Sequence, residues 1–305
     1  VDALTVLDET LRAFDLRLPD VSPVRCTVVR YADSRCRRCL DVCPTEAIAL
    51  GARLAVDPGR CVACGACATV CPTGALADTP LRTELRTRFG TASAVGDRTV
   101  TIACARAAGS TAGERATTIV CLAALSAADL VAARAAGLSG LVLRSGACAE
   151  CPLGAAIAGL DATIATAGAT LDALSAPLDV RREIVERPPS ITAAADGRTG
   201  SAAVRMFGRR DLFLFVRDRA RRAVAQALPT GPVRVEDLHR VVPPAAAHDA
   251  LIADLEALAA GRPEKLVEHP APLPLGLPVG RIEVDGRCDG CGLCVLYCPH
   301  GAIAL

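Results

Sequence analysis

Cysteine constrains this chain more than any other residue: its sixteen cysteines fall into four groups of four. The groups are Cys26, Cys36, Cys39 and Cys43; Cys61, Cys64, Cys67 and Cys71; Cys104, Cys121, Cys148 and Cys151; and Cys288, Cys291, Cys294 and Cys298. Four thiolates are what one tetrahedral ion or one cubane cluster requires. An even count also suits a disulfide framework, but such frameworks hold together short secreted chains with small cores. This chain has 305 residues, of which 51% are hydrophobic. No apolar run long enough for a bilayer and no basic-then-apolar leader is read from it, although it begins at Val1 and a removed leader stays open. The expected location is cytoplasmic, or at a membrane through a partner. A formal charge of +1, with five Phe, two Tyr and no Trp, argues against nucleic acid as a partner.

Texture divides the chain. Residues 1–25 read as an amphipathic helix, with Leu4, Leu7, Leu11 and Phe14 at helical spacing, then an extended approach. Residues 26–80 hold an internal repeat, in which Cys39-x3-Cys43-Pro44-Thr45-Glu46-Ala47-Ile48 answers Cys67-x3-Cys71-Pro72-Thr73-Gly74-Ala75-Leu76. The repeat predicts a pseudo-twofold block. Residues 97–178 alternate short apolar runs with Ala-rich stretches, the pattern of an α/β layer. Strands are expected at 99–103, 117–120 and 141–143. A helix is expected from Ser126 to Ala136, with Ser126 as N-cap, Asp129 three residues on and Gly137 beyond its end. Residues 179–279 read as a charged strand-like piece, an Arg- and Phe-rich helix near 207–227, a second helix near 246–260 and a Pro-rich linker over 263–278. The cysteine texture returns over 280–305.

Cys61-x2-Cys64-x2-Cys67-x3-Cys71-Pro72 and Cys288-x2-Cys291-x2-Cys294-x3-Cys298-Pro299 share one spacing. A tight loop with thiols three apart wraps one face of a cubane and turns N–H groups towards its sulfides, and Gly65 and Gly292 allow the torsions such a loop needs. Residues 26–80 and 281–305 thereby resemble the bacterial dicluster [4Fe-4S] ferredoxin family. The resemblance implies one cluster on Cys61, Cys64, Cys67 and Cys43, and another on Cys36, Cys39 and Cys71. The second is a ligand short, because Asp33 stands where the family has its first cysteine. Three outcomes compete: Cys26 supplies the thiolate from a preceding strand, Asp33 ligates through oxygen, or the site holds a [3Fe-4S] cluster. Cys26, the one unassigned cysteine nearby, is the expected donor. The C-terminal motif has no second half before Leu305, and its four cysteines are expected to close on one cluster.

Cys104, Cys121 and the pair Cys148-x2-Cys151 follow different rules. Each of the first three stands at or just beyond an expected strand, so parallel strands would gather all four at the carboxyl edge of a sheet, where such sheets bind ligands. Pro152 is expected to open the next helix, with Cys151 at its N-terminus. The arrangement resembles the small iron-sulfur subunit of methanogen-type hydrogenase and heterodisulfide reductase systems. A fourth [4Fe-4S] cluster is expected here, with zinc or [2Fe-2S] as alternatives.

The expected fold class is α+β and modular: a dicluster ferredoxin-like domain, a small flavodoxin-like α/β cysteine domain, a helical connector and a C-terminal ferredoxin-like half-motif. The expected function is a multicluster electron-transfer subunit, itself non-catalytic, in a hetero-oligomeric oxidoreductase. Resemblance points to a molybdopterin or tungstopterin enzyme of the formate dehydrogenase kind, or a nickel-iron hydrogenase, as catalytic partner, with a further electron carrier. The alternatives are a heterodisulfide-reductase-like catalyst and a zinc-stapled scaffold. The arginines between Arg205 and Arg222, with Phe207, Phe213 and Phe215, read as a helix with a basic face. His239, His248, His269 and His300 show no metal spacing.

Overall fold

The computed structural model describes residues 18–31, 33–51, 53–107, 116–185 and 246–260. The expected N-terminal helix, the Arg- and Phe-rich helix, the Pro-rich linker and the motif at Cys288, Cys291, Cys294 and Cys298 lie outside the described residues. What is described is mixed helix and sheet, in two layers that share a seam.

The cysteine-dense block contains four short strands: β1 (Asp20–Val21), β2 (Ile48–Leu50), β3 (Leu54–Val56) and β4 (Leu76–Ala77). Strand β1 pairs antiparallel with β4, and β2 with β3. Helix α1 (Thr27–Arg30) follows a 3-10 turn at Pro23–Arg25, while α2 (Arg38–Val42) and α3 (Ala66–Val70) are the helical cores of the two repeats. The repeat is visible in backbone angles. Cys43 and Cys71 end α2 and α3 at φ/ψ of −77/111° and −78/108°. The cause is the proline that follows each, which excludes helical torsions at the residue before it. Three residues on, Glu46 and Gly74 both turn left-handed, at φ 49° and 64°. The core beneath is small: Cys26, Ile48, Leu54, Ala75 and Leu76.

Helix α4 (Thr79–Ala94) leads out of this block. Its cap is Asp78, whose carboxylate accepts from the Leu81 N–H at 3.1 Å, with Pro80 in the first turn, where its missing N–H costs nothing. Leu81, Leu85, Phe89 and Ala92 are buried on one side of α4 and enter the larger core. That core lies against a four-stranded parallel sheet, β5 (Thr99–Cys104), β6 (Thr117–Ile119), β7 (Gly140–Ser145) and β8 (Asp179–Ile184), in the order β6-β5-β7-β8. Val100, Ile102, Leu141 and Leu143 alternate along β5 and β7 and are each 1% exposed or less, so a period of two selects the buried face. In chain order this is a 2-1-3-4 sheet, the doubly wound arrangement of flavodoxin-like layers.

Helix α5 (Ala127–Ala135) starts where expected. Asp129 Oδ2 accepts from both the N–H and the hydroxyl of Ser126, at 2.7 Å each, and Gly137 is left-handed at φ 96°. Helix α6 (Leu160–Ala173) does not start where expected. Pro152 lies in a turn, Cys151 ends a 3-10 turn at Cys148–Glu150, and a further 3-10 stretch, Gly154–Gly159, precedes the α-helix. The Gly154 N–H donates to the Cys151 carbonyl at 2.8 Å, which folds the loop back on itself. A Cβ at Gly154 would stand 2.2 Å from the Cys148 carbonyl oxygen, so only glycine permits this approach.

The core also runs past residue 178, where the sequence texture suggested a boundary. Strand β8 completes the sheet, and helix α7 (Ala246–Leu258), expected as part of a connector, buries Leu251 and Leu255 in the same core. Arg86 on α4 and Asp254 on α7 form a paired ion bridge between the two helices. The stretch Gly154–Ala173 is long and apolar enough to cross a membrane by length and composition, contrary to the sequence expectation. Its buried residues Leu160, Ala167 and Leu171 belong to the sheet's core, which accounts for its apolar character.

Candidate functional site

The twelve cysteines among the described residues are all unpaired thiols. The two halves of the repeat place eight of them around two cavities. One is lined by Cys43, Cys61, Cys64 and Cys67. The other is lined by Cys26, Cys36, Cys39 and Cys71. Each cavity thus takes three thiols from one stretch of chain and one from the opposite half, the cysteine that precedes a proline. The exchange follows from the backbone. Pro44 and Pro72 turn Cys43 and Cys71 out of their helices, and the extended torsions carry both thiols away from their own loops.

Local hydrogen bonds repeat as well. The Ala47 N–H donates to Cys43 Sγ at 3.3 Å. Thr45 Oγ1 stands 3.8 Å from Cys43 Sγ, and Thr73 Oγ1 stands 3.7 Å from Cys71 Sγ. Such donors stabilise negative charge on sulfur. The cysteine-proline-threonine triplet makes these partners readable in the sequence, although only the sulfur ligands were singled out there. Asp78 also lines the first cavity, and it too was missed. Asp-Thr-Pro is a helix-start signal, but nothing in its spacing connects it to the cysteines.

Cys26 reaches its cavity by a different element from the one expected. It stands between the 3-10 turn and α1, not on a strand, and is 8% exposed. Pro23 accounts for this, since its fixed φ favours the turn and it leaves no N–H for a ladder. Asp33 is exposed and is not among the residues lining the cavity.

The thiols are crowded. Burial pushes Cys39 up to about 11, and the neighbouring Cys71 and Cys26 add to the rise. Burial pushes Cys67 up to about 12, reinforced by Cys64, Cys61, Cys43 and Cys39. Cys61 and Cys64 are raised as well, chiefly by burial, against backbone hydrogen bonds at Ala63 and Ala66 that lower them. Four thiolates in so small a space repel one another unless cations sit between them. Even so, no three Cys, His, Asp or Glu side chains among the described residues are grouped so as to hold a single metal ion.

Three cysteines of the third group stand at or just beyond the carboxyl ends of parallel strands. Cys104 is the last residue of β5, Cys121 lies two residues beyond β6, and Cys148 three beyond β7. From β5 the chain passes to β6 on one side, and from β7 to β8 on the other. The carboxyl ends of β5 and β7 therefore flank the switch point at which doubly wound sheets bind ligands. Burial pushes Cys121 up to about 11, and Cys64, Cys104 and Cys148 raise it further. Cys151 follows by one 3-10 turn, its N–H donating to the Cys148 carbonyl at 3.1 Å.

The effect of Cys64 on Cys121 crosses the seam between the two layers. There Cys64, Ala66, Cys121, Ala123 and Ala156 form one buried cluster. Thr69 Oγ1 donates to the Ala123 carbonyl at 3.2 Å. Gly65, at φ 75°, faces Ala124 so closely that a Cβ would stand 2.5 Å from that alanine's own. Gly65 was expected to serve the loop's torsions, and it also permits this contact. Arg82 on α4 binds the Ala124 carbonyl at 2.9 Å and pairs with the buried Asp129.

Two family models match the chain: a 4Fe-4S dicluster domain over residues 34–75, and a 4Fe-4S binding domain over residues 284–304. Searches of curated proteins and of solved structures matched none.

Proposed function

We propose, for a chain of the dicluster 4Fe-4S ferredoxin type over residues 34–75 with a further 4Fe-4S segment at 284–304, that it is a multicluster relay within a larger oxidoreductase. Iron-sulfur electron transfer is what such segments do. The observation that supports the finer reading is the pair of cavities, each lined by four thiols drawn from both halves of the repeat.

Cys43, Cys61, Cys64 and Cys67 would hold one [4Fe-4S] cluster, and Cys26, Cys36, Cys39 and Cys71 another. In this reading Cys26 replaces the cysteine absent at Asp33. Four thiols around one cavity, three from one loop and one from the opposite half, are the donor set a cubane takes. A bound cluster supplies one-electron chemistry without bonds made or broken at a substrate. The chain's part is to supply thiolates, to offset their charge through the Ala47 N–H and the Thr45 and Thr73 hydroxyls, and to keep the sulfurs out of bulk water.

We extend the reading to Cys104, Cys121, Cys148 and Cys151 at the sheet edge as a third cluster, and, on cysteine spacing and the family match alone, to Cys288, Cys291, Cys294 and Cys298 as a fourth. A relay order follows for the first three. Cys39 is among the thiols that act on Cys67, and Cys64 among those that act on Cys121. Electrons would pass from the Cys26 cavity through the Cys61 cavity to the sheet edge. The catalytic partner we place with this chain is a molybdopterin, tungstopterin or nickel-iron subunit.

Iron, sulfide, zinc and molybdenum analysis of the full chain, purified anaerobically with its partners, tests the reading. About sixteen irons fit four cubanes and about twelve fit three. Stoichiometric zinc without matching sulfide would overturn the assignment of the sheet-edge site.

A further inference from the structure

The repeat pairs residues of its two halves: Ala63 with Arg35, Gly65 with Arg37, and Ala66 with Arg38, on either side of the matched thiols Cys64 and Cys36. In the second half Gly65 and Ala66 lie at an interface, while Ala63 lines the Cys61 cavity. Gly65 meets Ala124, Ala66 is 1% exposed, and small apolar side chains close the seam. In the first half the corresponding surface is open, and Arg35, Arg37 and Arg38 are all exposed.

Arg35 and Arg38 hold no ion pair among the described residues, and Arg37 holds only an exposed one with Asp41 at 3.6 Å. Exposed pairs of that kind add little stability. Arg38 also lines the Cys26 cavity, and Cys36 lies between Arg35 and Arg37. Tyr31 is 41% exposed, with the Arg30 guanidinium 5.8 Å from its ring centre. Exposed tyrosine beside arginine is the composition of a binding surface rather than of an idle one. Asp33 and Asp41 are the acids of this stretch, against Arg25, Arg30, Arg35, Arg37 and Arg38, so its net charge is positive.

We propose that the Tyr31–Arg38 loop is the docking surface for an acidic, one-electron carrier protein, which exchanges electrons with the chain at the Cys26, Cys36, Cys39 and Cys71 site. The inference rests on the electron-relay reading and adds to it where electrons cross and the charge of the partner. In the forward direction the carrier loses one electron and the chain gains one, and no bond or proton moves. Such an encounter must form and dissolve quickly, which charge complementarity favours over apolar burial.

The test uses the full chain with its clusters and two reductants: a reduced ferredoxin of strongly negative net charge, and a monosulfonated viologen whose reduced radical has zero net charge. Stopped-flow reduction is followed from low to high ionic strength. The parent's rate with the ferredoxin is expected to fall steeply with salt. The R35E/R37E variant, which leaves the cavity-lining Arg38 in place, is expected to react at least about tenfold more slowly with the ferredoxin at low salt, and within about twofold of the parent with the viologen. R60E, a charge change on the other half, is the control and should match the parent. A ferredoxin rate unchanged in R35E/R37E, or slowed equally in R60E, overturns the proposal. Failure of the viologen to reduce even the parent would instead overturn the relay reading itself. If R35E/R37E binds less iron, the R35Q/R37Q pair decides: slowing with retained iron supports docking, and full rate overturns it.

Discussion

The first and second halves of the cysteine-dense block share their cysteine-proline-threonine turns and their four-thiol cavities, yet they face different surroundings. Where the second half has Gly65 and Ala66 against the sheet layer, the first has the exposed Arg37 and Arg38, beside an exposed Arg35 and an exposed aspartate at the position of Cys61. The positions that coincide, Cys43 and Cys71 above all, are those whose torsions a proline or a cavity dictates. The positions that differ are those that meet something else. A duplicated motif therefore separates what the bound group requires from what each half's neighbours require.

The largest effect expected from breaking this comparison comes from iron removal. Among the described residues, the buried core of the cysteine-dense block is Cys26 with four apolar side chains, whereas that of the sheet layer has more than twenty residues. Anaerobic chelation should abolish amide exchange protection in β1–β4 and leave β5 and β7 protected, as hydrogen exchange with mass spectrometry would read. Metal binding is folding energy for the first region and not for the second. Equal loss in both would mean that the seam, not the metal, unites them.

Next in size is the replacement of one ligand. Cys26→Ala should lose about four irons per chain, or retain a three-iron signal in EPR, whereas Asp33→Ala should leave iron content and spectrum unchanged. The reverse pattern would return the fourth ligand to the aspartate. A smaller difference should separate Gly65 from its counterpart. Gly65→Ala adds a Cβ at a left-handed residue and forces it into Ala124, at a cost of about 2–4 kcal/mol. Arg37→Ala, at φ −128° and exposed, should stay within about 0.5 kcal/mol. Thermal melts of the reconstituted variants would show whether the halves differ as the seam requires.

The smallest effect restores the symmetry. Glu46 occupies, at φ 49°, the position that Gly74 fills in the other half. Its bridge to Arg60, at 3.3 Å between largely exposed side chains, contributes little. Glu46→Gly relieves about 1–2 kcal/mol of left-handed strain and adds about 0.5–1 kcal/mol of unfolded-state entropy. A net gain of up to about 1 kcal/mol is expected, visible as a slightly raised melting temperature.

Much of this was readable from the chain. The repeat, the grouping of the cysteines, strands β5 to β7 and the Ser126–Asp129 helix start are local signals, because spacing, prolines and caps act over a few residues. The sequence left the fourth donor open among Cys26, Asp33 and none, since that choice depends on where a turn returns the chain. It missed α4 altogether, put Pro152 at a helix start, and separated β8 and α7 from the sheet. The errors at α4, β8 and α7 share a cause: each element owes its place to partners far away in the chain, such as Asp254 for Arg86 or Leu143 for Arg182. The error at Pro152 is local, since Gly154 folds the loop back on Cys148 and Cys151.

The sequence by itself determined that the cysteines fall in groups of four and that one ferredoxin-type unit is repeated, because cysteine spacing and pre-proline torsions are properties of adjacent residues. The tertiary structure decided which of the described thiols share a cavity, that Cys64 and Cys121 lie across one seam, and which half of the repeat stays exposed. Those outcomes depend on the burial of small apolar surfaces between distant segments, and no local spacing encodes that.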